Sequence, residues 1–520
     1  MTIHPRLAIA EDPPLGYLTQ PINFGESIGF YNYLPSNNIP ENAAQNIRNV
    51  DYSVTGDLSV RRGASTYFEI GAPTGEAASN LLSVWVSSTG GRYFIAKVGN
   101  RIHTIATTNA LNARNPNPIT GQADIVSWSS AAYIVSENTR IIKVSELVTL
   151  SSVAYSYIEV TPGGKYAQSH LGRLVVAGST VQSDAMFLFY SDEDSPESHR
   201  FGNYIQIPAI RDSDPLTGIG PSLLNILPIY TRNTTRTLIG TVFPSDSFIG
   251  NLSVRLISQT VGCVHHKTIK NFENGQYFYS IGENGTAPGI YKFNGTSVKE
   301  VTKSIRKYFQ DTIDTTTSTI PCAYVSEDRY CLNVATIGGR DLTVTVCYGP
   351  TDKKIEIMQQ PSMDQVVAEN GTLYGVSGVH DNTNTEWNEI YRLDSGSVDG
   401  STGAAYSWRY QTKDFDLGRV NRTNYKIPER AYIQFERNTG TFTVIANYDF
   451  GNSTTVWTID TSTKVETSDV LTVMINSQTV INRLNFPGSI RFNYINFDLF
   501  GSSRTTIDRL DFYTIKESLP

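Results

Sequence analysis

Charge is scarce in this chain. Asp, Glu, Lys and Arg make up 18% of its 520 residues, where about 25% is usual for a folded domain. Ionic self-repulsion is therefore low, so substantial cores can be buried, and 22 Phe with 29 Tyr exclude disorder as the general state. The few charges lean acidic, at a formal −7. From residue 404 onward 13 Lys+Arg face 12 Asp+Glu, which leaves 29 against 37 over residues 1–403. Such a chain does not wrap nucleic acid by neutralising phosphates and releasing counterions. Cysteine is scarce too. Cys263, Cys322, Cys331 and Cys347 lie far apart without a C-x-x-C pair; they read as buried small hydrophobes, with a zinc site or a disulfide as the alternatives. Long apolar runs are missing: nothing approaches the ~18 residues of a membrane span, and the opening "MTIHPRLAIAEDPP" has no apolar h-region. The expectation is a protein made in a cytoplasm that crosses no membrane by a standard signal.

Enzyme signatures are equally thin. There is no G-x-x-x-x-G-K-[ST]; "TPGGKYAQS" (161–169) has the lysine without the preceding glycine spacing. There is no G-x-S-x-G elbow. His265 and His266 are adjacent, and neighbours in a strand point to opposite faces, so they cannot chelate one ion. In "YSDEDSPESH" (190–199) Asp192 and Asp194 match the first two spacings of a calcium loop, but Pro196 and Glu197 break it, which leaves a solvated loop. Propeller glycosidases need an arranged carboxylate pair; "SVDGS" (397–401) only approaches the turn that sialidase propellers repeat. No catalytic residue, metal or cofactor is expected.

What the chain does have is alternation with a period of two. "RYFIAKVGNRIHTI" (92–105) is strand, turn, strand; "AAYIVSENTRIIKVS" (131–145) repeats the form, and further copies start near 172, 275, 328 and 371. Their leading bulky residues are Tyr93, Tyr133, Leu174, Tyr277, Tyr330 and Leu373, and the wide gap after Leu174 has room for one more unit around 227–243. A hairpin pair recurring every 40–50 residues is the mark of a β-propeller, because one blade cannot cover both of its own faces and must stack on its neighbours. The sequons Asn284–Thr286 and Asn370–Thr372 read as hairpin turns, since Asn-Gly supplies the positive φ they need. The sequence thus predicts an all-β chain: an extended N-terminal arm and entry hairpin over 1–64, a degenerate propeller of about six or seven blades over 65–403, and a C-terminal β-sandwich over 404–520. Two sandwiches in series are the alternative architecture. Helices are expected at 40–51, with Pro40 in the first turn, and at 301–313. In the second, Val301, Ile305, Tyr308, Phe309 and Ile313 share a face and Lys303, Arg306 and Lys307 form the solvated side.

"NVDYSVTGDLSVRRG" (49–63) ends in two arginines beside a glycine. Strand alternation turns Arg61 and Arg62 opposite ways, so they cannot grip one phosphate together. They are candidate structural or subunit-contact arginines, at least one pairing with carboxylates within the subunit or across an assembly.

In company, that stretch is one of a series: "HLGRLVVAGS" (170–179), "LFYSDEDSPESHRFGNYIQIP" (188–208), "DSDPLTGIG" (212–220), "VGCVHHKTIKNFENGQYFYSIGENG" (261–285) and "GIYKFNGTSVKEVTKSIRKYF" (289–309). The order resembles the tail nozzle proteins of short-tailed bacteriophages, also called tail tubular protein B, with the related packaged-DNA stabilisation proteins. The closing "SIRFNYINFDLFGSSRTTIDRLDFYTI" looks like that family's last domain. The resemblance implies a non-enzymatic virion protein, assembled in the host cytoplasm. It would form a homohexamer below the portal and adaptor, meet tail fibres or a tail needle, and pass viral double-stranded DNA through its lumen without sequence-specific binding. The alternative function is a tail or neck component that binds a host-surface glycan through its propeller or sandwich.

Overall fold

Alternation of two builds strands almost throughout the computed structural model, which describes residues 17–516 apart from 53–57, 70–80, 107–110, 115–118, 148–151, 159–162, 209–213, 245–249, 316–319, 350–353, 378–388, 396–406, 416–425, 437–440, 461–469, 475–478, 487–491 and shorter breaks. Contacts divide the chain into two units, one of residues 62–351 with 359–404, the other of residues 1–61, 352–358 and 405–520.

The first unit is a propeller of seven four-stranded antiparallel sheets. Blade 1 runs through Leu81–Val86, Arg92–Val98, Arg101–Ala106 and Leu111–Arg114, and blade 2 through Ala123–Trp128, Ala131–Ser136, Thr139–Leu147 and Ser152–Tyr157. Blade 3 comprises Tyr166–His170, Arg173–Ala177, Phe187–Tyr190 and Tyr204–Gln206. The wide gap after Leu174 holds blade 4: Leu216–Ile219, Leu227–Thr231, Thr235–Ile239 and Ser253–Ser258. Blade 5 follows as Lys270–Phe272, Gly275–Ser280, Gly289–Phe293 and Val298–Glu300, and blade 6 as Cys322–Ser326, Arg329–Thr336, Gly339–Tyr348 and Ile355–Gln359. Blade 7 has Met363–Glu369, Thr372–Ser377 and Glu389–Arg392, and takes its outer strand, Ser65–Glu69, from the far end of the chain. That exchange ties first blade to last and leaves no open seam.

The first strand of each blade is innermost. Inner strands touch from blade 1 to 2, 2 to 3, 3 to 4, 5 to 6, 6 to 7 and 7 back to 1, while blade 4 meets a short 3-10 helix at His266–Thr268. The recurring bulky residues all fall in second strands and are buried between blades. Between blades 1 and 2, Trp85 stacks on Tyr93 at 5.3 Å, and Ile95, Ile134 and Val144 complete the layer. Phe94, Ala96, Val376 and Ile390 fill the layer between blades 7 and 1. Each such aliphatic or aromatic side chain contributes about 1.5–3 kcal/mol by leaving water. At the predicted hairpin turn Asn370 and Gly371 have φ of 49° and 74°, as an Asn-Gly turn requires; Asn284 lies outside the described residues.

The helix expected at 301–313 is shorter, and Ile313 lies in an isolated β-bridge with Thr336. A 3-10 turn at Lys303–Ile305 leads into an α-helix at Arg306–Asp311, with Ile305, Phe309 and Ile313 buried. Its basic side is divided: Arg306 pairs with Glu300, while Lys303 and Lys307 face solvent. Among the described residues no helix is long and apolar enough to cross a membrane.

The second unit is a sandwich of a seven-stranded and a six-stranded sheet. Facing aromatics join the sheets: Phe435 meets Phe442 at 5.5 Å, and Phe497 meets Phe512 at 5.1 Å. The N-terminal segment corrects two expectations. It is extended, yet its described strands lie along its own chain: Tyr17–Asn23 pairs with Thr506–Lys516, and Ala43–Arg48 with Trp408–Thr412. The 40–51 segment is therefore strand at Ala43–Arg48 and Val50–Tyr52, not helix. An isolated helix of that length is marginal in water, whereas pairing with Trp408–Thr412 buries Ala43, Ala44, Ile47 and Val50. Tertiary pairing overrides the local preference.

Candidate functional site

Arg61 and Arg62 do part company. Arg61 is buried, and its Nε donates to Asn49 Oδ1 at 3.0 Å. Asn49 sits at a positive φ of 56°, where its backbone N–H reaches Ile357 O and its Nδ2 reaches Ser407 O. Arg62 is exposed and falls in the propeller unit.

The densest polar grouping lies on the propeller axis, at the end where each blade hands over to the next. Asp124, Tyr166, Cys322 and Asp364 all open inner strands there, and Lys97 and Glu137 close second strands at the same end. Into this ring runs the crossover from blade 4 to blade 5, residues 259–269. Cys263 N donates to Thr231 O, Val264 N to Tyr279 O, and Thr217 Oγ1 to Cys263 O at 2.6 Å. Further along, Gln122 meets His265 Nε2 at 2.7 Å, His266 Nε2 meets Asp124 Oδ2 at 2.8 Å, and the His266 ring lies 5.2 Å from that of Tyr166. Tyr330 donates its hydroxyl to Thr268 O at 2.6 Å. One crossover thus touches blades 2, 3, 4, 5 and 6 and plugs the axis. Glycine makes the approach possible. A Cβ on Gly262 would stand 2.3 Å from Thr231 O, and one on Gly218 would stand 3.0 Å from His266 Cα.

The electrostatics of the plug are closed. Burial pushes the Asp124 carboxyl up, but His266 beside it and the bonds from His266, Ala167 N and Ile125 N outweigh this and hold it below the ordinary carboxylate range. Burial, with Lys267 and His266 adding to it, keeps the His265 imidazole neutral, its pKa well below the usual value. Its Nδ1 accepts from Lys267 N, and its Nε2 lies against Gln122 Nε2. Burial and then the charge of Lys267 pull Lys97 down to about 8. Lys267 is itself lowered by burial, against the pull of Asp364, Cys322 and Asp124. Lys165 pairs with Glu137 at 3.1 Å. Cationic and anionic side chains from blades 1, 2, 3 and 7 thus meet around a segment from blade 5. The sequence suggested a strand for both imidazoles, whereas His265 caps and His266 opens a 3-10 turn, and the crossover's reach was not foreseen. Its only local signal was the run Gly262–Lys267, whose glycine and adjacent basic side chains suit a crowded, charged crossover.

The remaining candidates resolve locally. Asp192 accepts from Ser198 Oγ at 2.7 Å, Arg200 Nε at 3.0 Å and Asn203 Nδ2 at 3.1 Å, so its carboxylate organises a loop. Among the described residues no group of three or more His, Cys, Asp or Glu is placed to hold a metal. Cys331 and Cys347 are cross-strand partners joined by a disulfide, the alternative to plain burial, while Cys263 and Cys322 are buried free thiols that burial pushes up to about 12. The segment 397–401 lies outside the described residues.

No family model and no curated protein matches the chain. Among solved structures it is similar to a quinonprotein alcohol dehydrogenase-like protein from Bacteroides thetaiotaomicron, at 10% identity over 56% of this chain and 68% of that one, with a TM-score of 0.33. It is also similar to an exo-β-1,3-galactanase from Phanerochaete chrysosporium. Two forms of that enzyme give 10% and 11% identity over 84% of this chain and 99% and 100% of theirs, with TM-scores of 0.25 and 0.27. Likeness at this level carries nothing about activity.

Proposed function

We propose that the protein is a structural component of a virion: the tail nozzle of a short-tailed phage, six copies of which form a ring below the portal–adaptor complex. The observation that carries this reading is the plugged axis. A propeller whose axis is crossed at one end by its own chain offers no free passage there, so a conduit has to lie between copies. The series of strand motifs along the chain supports the same reading, and so does the sign of its charge. At a formal −7 per copy, a wall made of such copies repels the phosphate backbone and lets DNA slide rather than adhere. Closed blades also leave only short protected edges, which suits a sheath. The reading assigns no catalytic step.

Electron microscopy of the purified chain mixed with portal–adaptor particles tests it. Six-fold rings seated on the particles are expected. A monomer that ignores the particles overturns the proposal, and saturable binding to host-surface glycans by that monomer moves the assignment to a receptor-binding tail component.

A further inference from the structure

The two ends of the propeller differ in chemistry. The end opposite the plug carries the turns joining first to second and third to fourth strands. There, on blades 3 and 4, apolar side chains stand in water. Phe201 is fully exposed, at 103% of its reference area, and Leu224 is 87% exposed. Neither is a loose tip. The Asp192 carboxylate gathers Ser198, Arg200 and Asn203 around the loop that presents Phe201, and Asn203 N donates to Arg200 O at 3.0 Å. Leu224 and Asn225 form a two-residue turn at φ of 55° and 40°, closed by reciprocal bonds between Leu223 and Ile226. Leucine rarely adopts that region, which favours glycine or asparagine, so the turn holds it in a fixed place. Both loops flank one hairpin turn: Asp194 N donates to Gly172 O, and Ser222 Oγ meets His170 Nδ1 at 2.7 Å. Around them Glu193 pairs with Arg173, Glu197 with Lys143 and Asp192 with Arg200, which leaves the exposed Asp194 to give the patch its acidic sign.

The plug end bears a complementary patch beside blade 6. Lys303 and Lys307 are exposed one helical turn apart, with Asp311 exposed at the following turn, so the patch is basic by one charge. The hairpin tip next to them, held by Ile337 N donating to Thr312 O at 2.8 Å, exposes Ile337 at 58%. The two patches are opposite in sign, each with an apolar centre, and sit at opposite ends of one rigid unit, so they cannot meet within a chain. We propose that the Phe201–Leu224 patch of one copy docks on the Lys303–Lys307–Ile337 patch of a second copy. Unlike patches meeting in this way make a heterologous contact, which closes into a ring when its rotation allows. A rigidly presented aromatic is the usual anchor of such an interface. The contact stands on these surfaces; only its six-fold closure rests on the nozzle reading.

Sedimentation of the full chain at low salt is the test, with Phe201→Ser/Leu224→Ser, Lys303→Glu/Lys307→Glu, and the latter combined with Glu193→Lys/Asp194→Lys. The first two pairs are expected to weaken self-association at least about tenfold, and the combination to restore it. Mixing Phe201→Cys chains with Lys303→Cys chains under mild oxidation should give a crosslinked heterodimer. If the wild type assembles and every variant assembles equally, the contact is wrong and the ring reading stands. A wild type that stays monomeric even with portal–adaptor particles overturns both. Crosslinking of Phe201→Cys to another tail protein instead of a second copy also overturns the contact.

Discussion

The propeller and the sandwich bury different things. In the sandwich one aromatic layer, Phe435, Phe442, Phe486, Phe497 and Phe512, faces itself across two sheets. In the propeller the apolar layers run between blades, and the axis is left to charge: Asp124, Lys97, His265, Lys267 and Asp364. The reason is geometric. Two sheets packed face to face leave one slab between them, filled well by large rings. Radial sheets converge on a line too narrow for rings from every blade, and a crossover from one blade crosses it at one end. A sandwich therefore gains mostly from area, whereas the axis depends on each charge keeping its partner.

The sharpest way to break this contrast is to remove one ring from the sandwich. Phe512→Ala deletes a side chain in contact with Phe486, Phe492 and Phe497. It should cost about 3–5 kcal/mol, read as a lower melting temperature by calorimetry; a shift of less than a degree would show the slab repacks freely. At the axis the equivalent change adds no cavity. Asp124→Asn keeps the shape and leaves His266 facing an amide, for a loss of about 3 kcal/mol. Asp124→Leu removes the acceptor as well, leaving His266 Nε2, Ala167 N and Ile125 N without one, and should cost more than Asp124→Asn.

Acid sharpens the contrast further, because every described histidine lies in the propeller unit. Burial lowers His170 to about 4, and burial against a weaker upward pull from Pro196 O and Asp192 brings His199 to about 4 as well. The unfolded chain binds protons on these groups from about pH 6.5 downward, and the folded chain does not. Propeller stability should therefore fall as pH drops from 6.5 to 4, by on the order of several kcal/mol, and His265, held well below its usual value, extends the fall to lower pH. Chemical denaturation at stepped pH, followed by hydrogen exchange in each unit, measures this; equal losses in both units would contradict it. The smallest contrast is between the adjacent arginines. Arg61→Ala removes a buried guanidinium bonded to Asn49, at about 1–3 kcal/mol, while Arg62→Ala should stay within about 0.5 kcal/mol. A double variant that leaves both stability and particle assembly untouched would end the case for either as a structural arginine.

Much of the fold was legible because its signal is local. A period of two, punctuated by Asn-Gly and Gly, marks a strand pair wherever it occurs, and Tyr93, Tyr133, Leu174, Tyr277, Tyr330 and Leu373 mark equivalent second strands. The helix ending in Arg306–Asp311 was legible for the same reason, since Ile305, Phe309 and Ile313 share a face before anything packs on them. The strands at 43–48 were not, because Ala-Ala-Gln-Asn-Ile-Arg suits either element and only the open edge of Trp408–Thr412 decides between them. Nor was the cross-strand pair Cys331–Cys347, which depends on a register set by a hairpin some of whose residues carry no turn signal.

The amino-acid order by itself determined that this chain is all strand, repeats in blade-sized units and carries its scarce charge with an acidic bias. Those properties follow from neighbours a few residues apart. Only the tertiary structure decided where the chain's first strands go, that the axis is crossed at one end by Gly262–Thr268, and that Phe201 and Leu224 share one end of the wheel. Each of these is a meeting of residues distant in sequence, set by ring closure and burial rather than by any local preference.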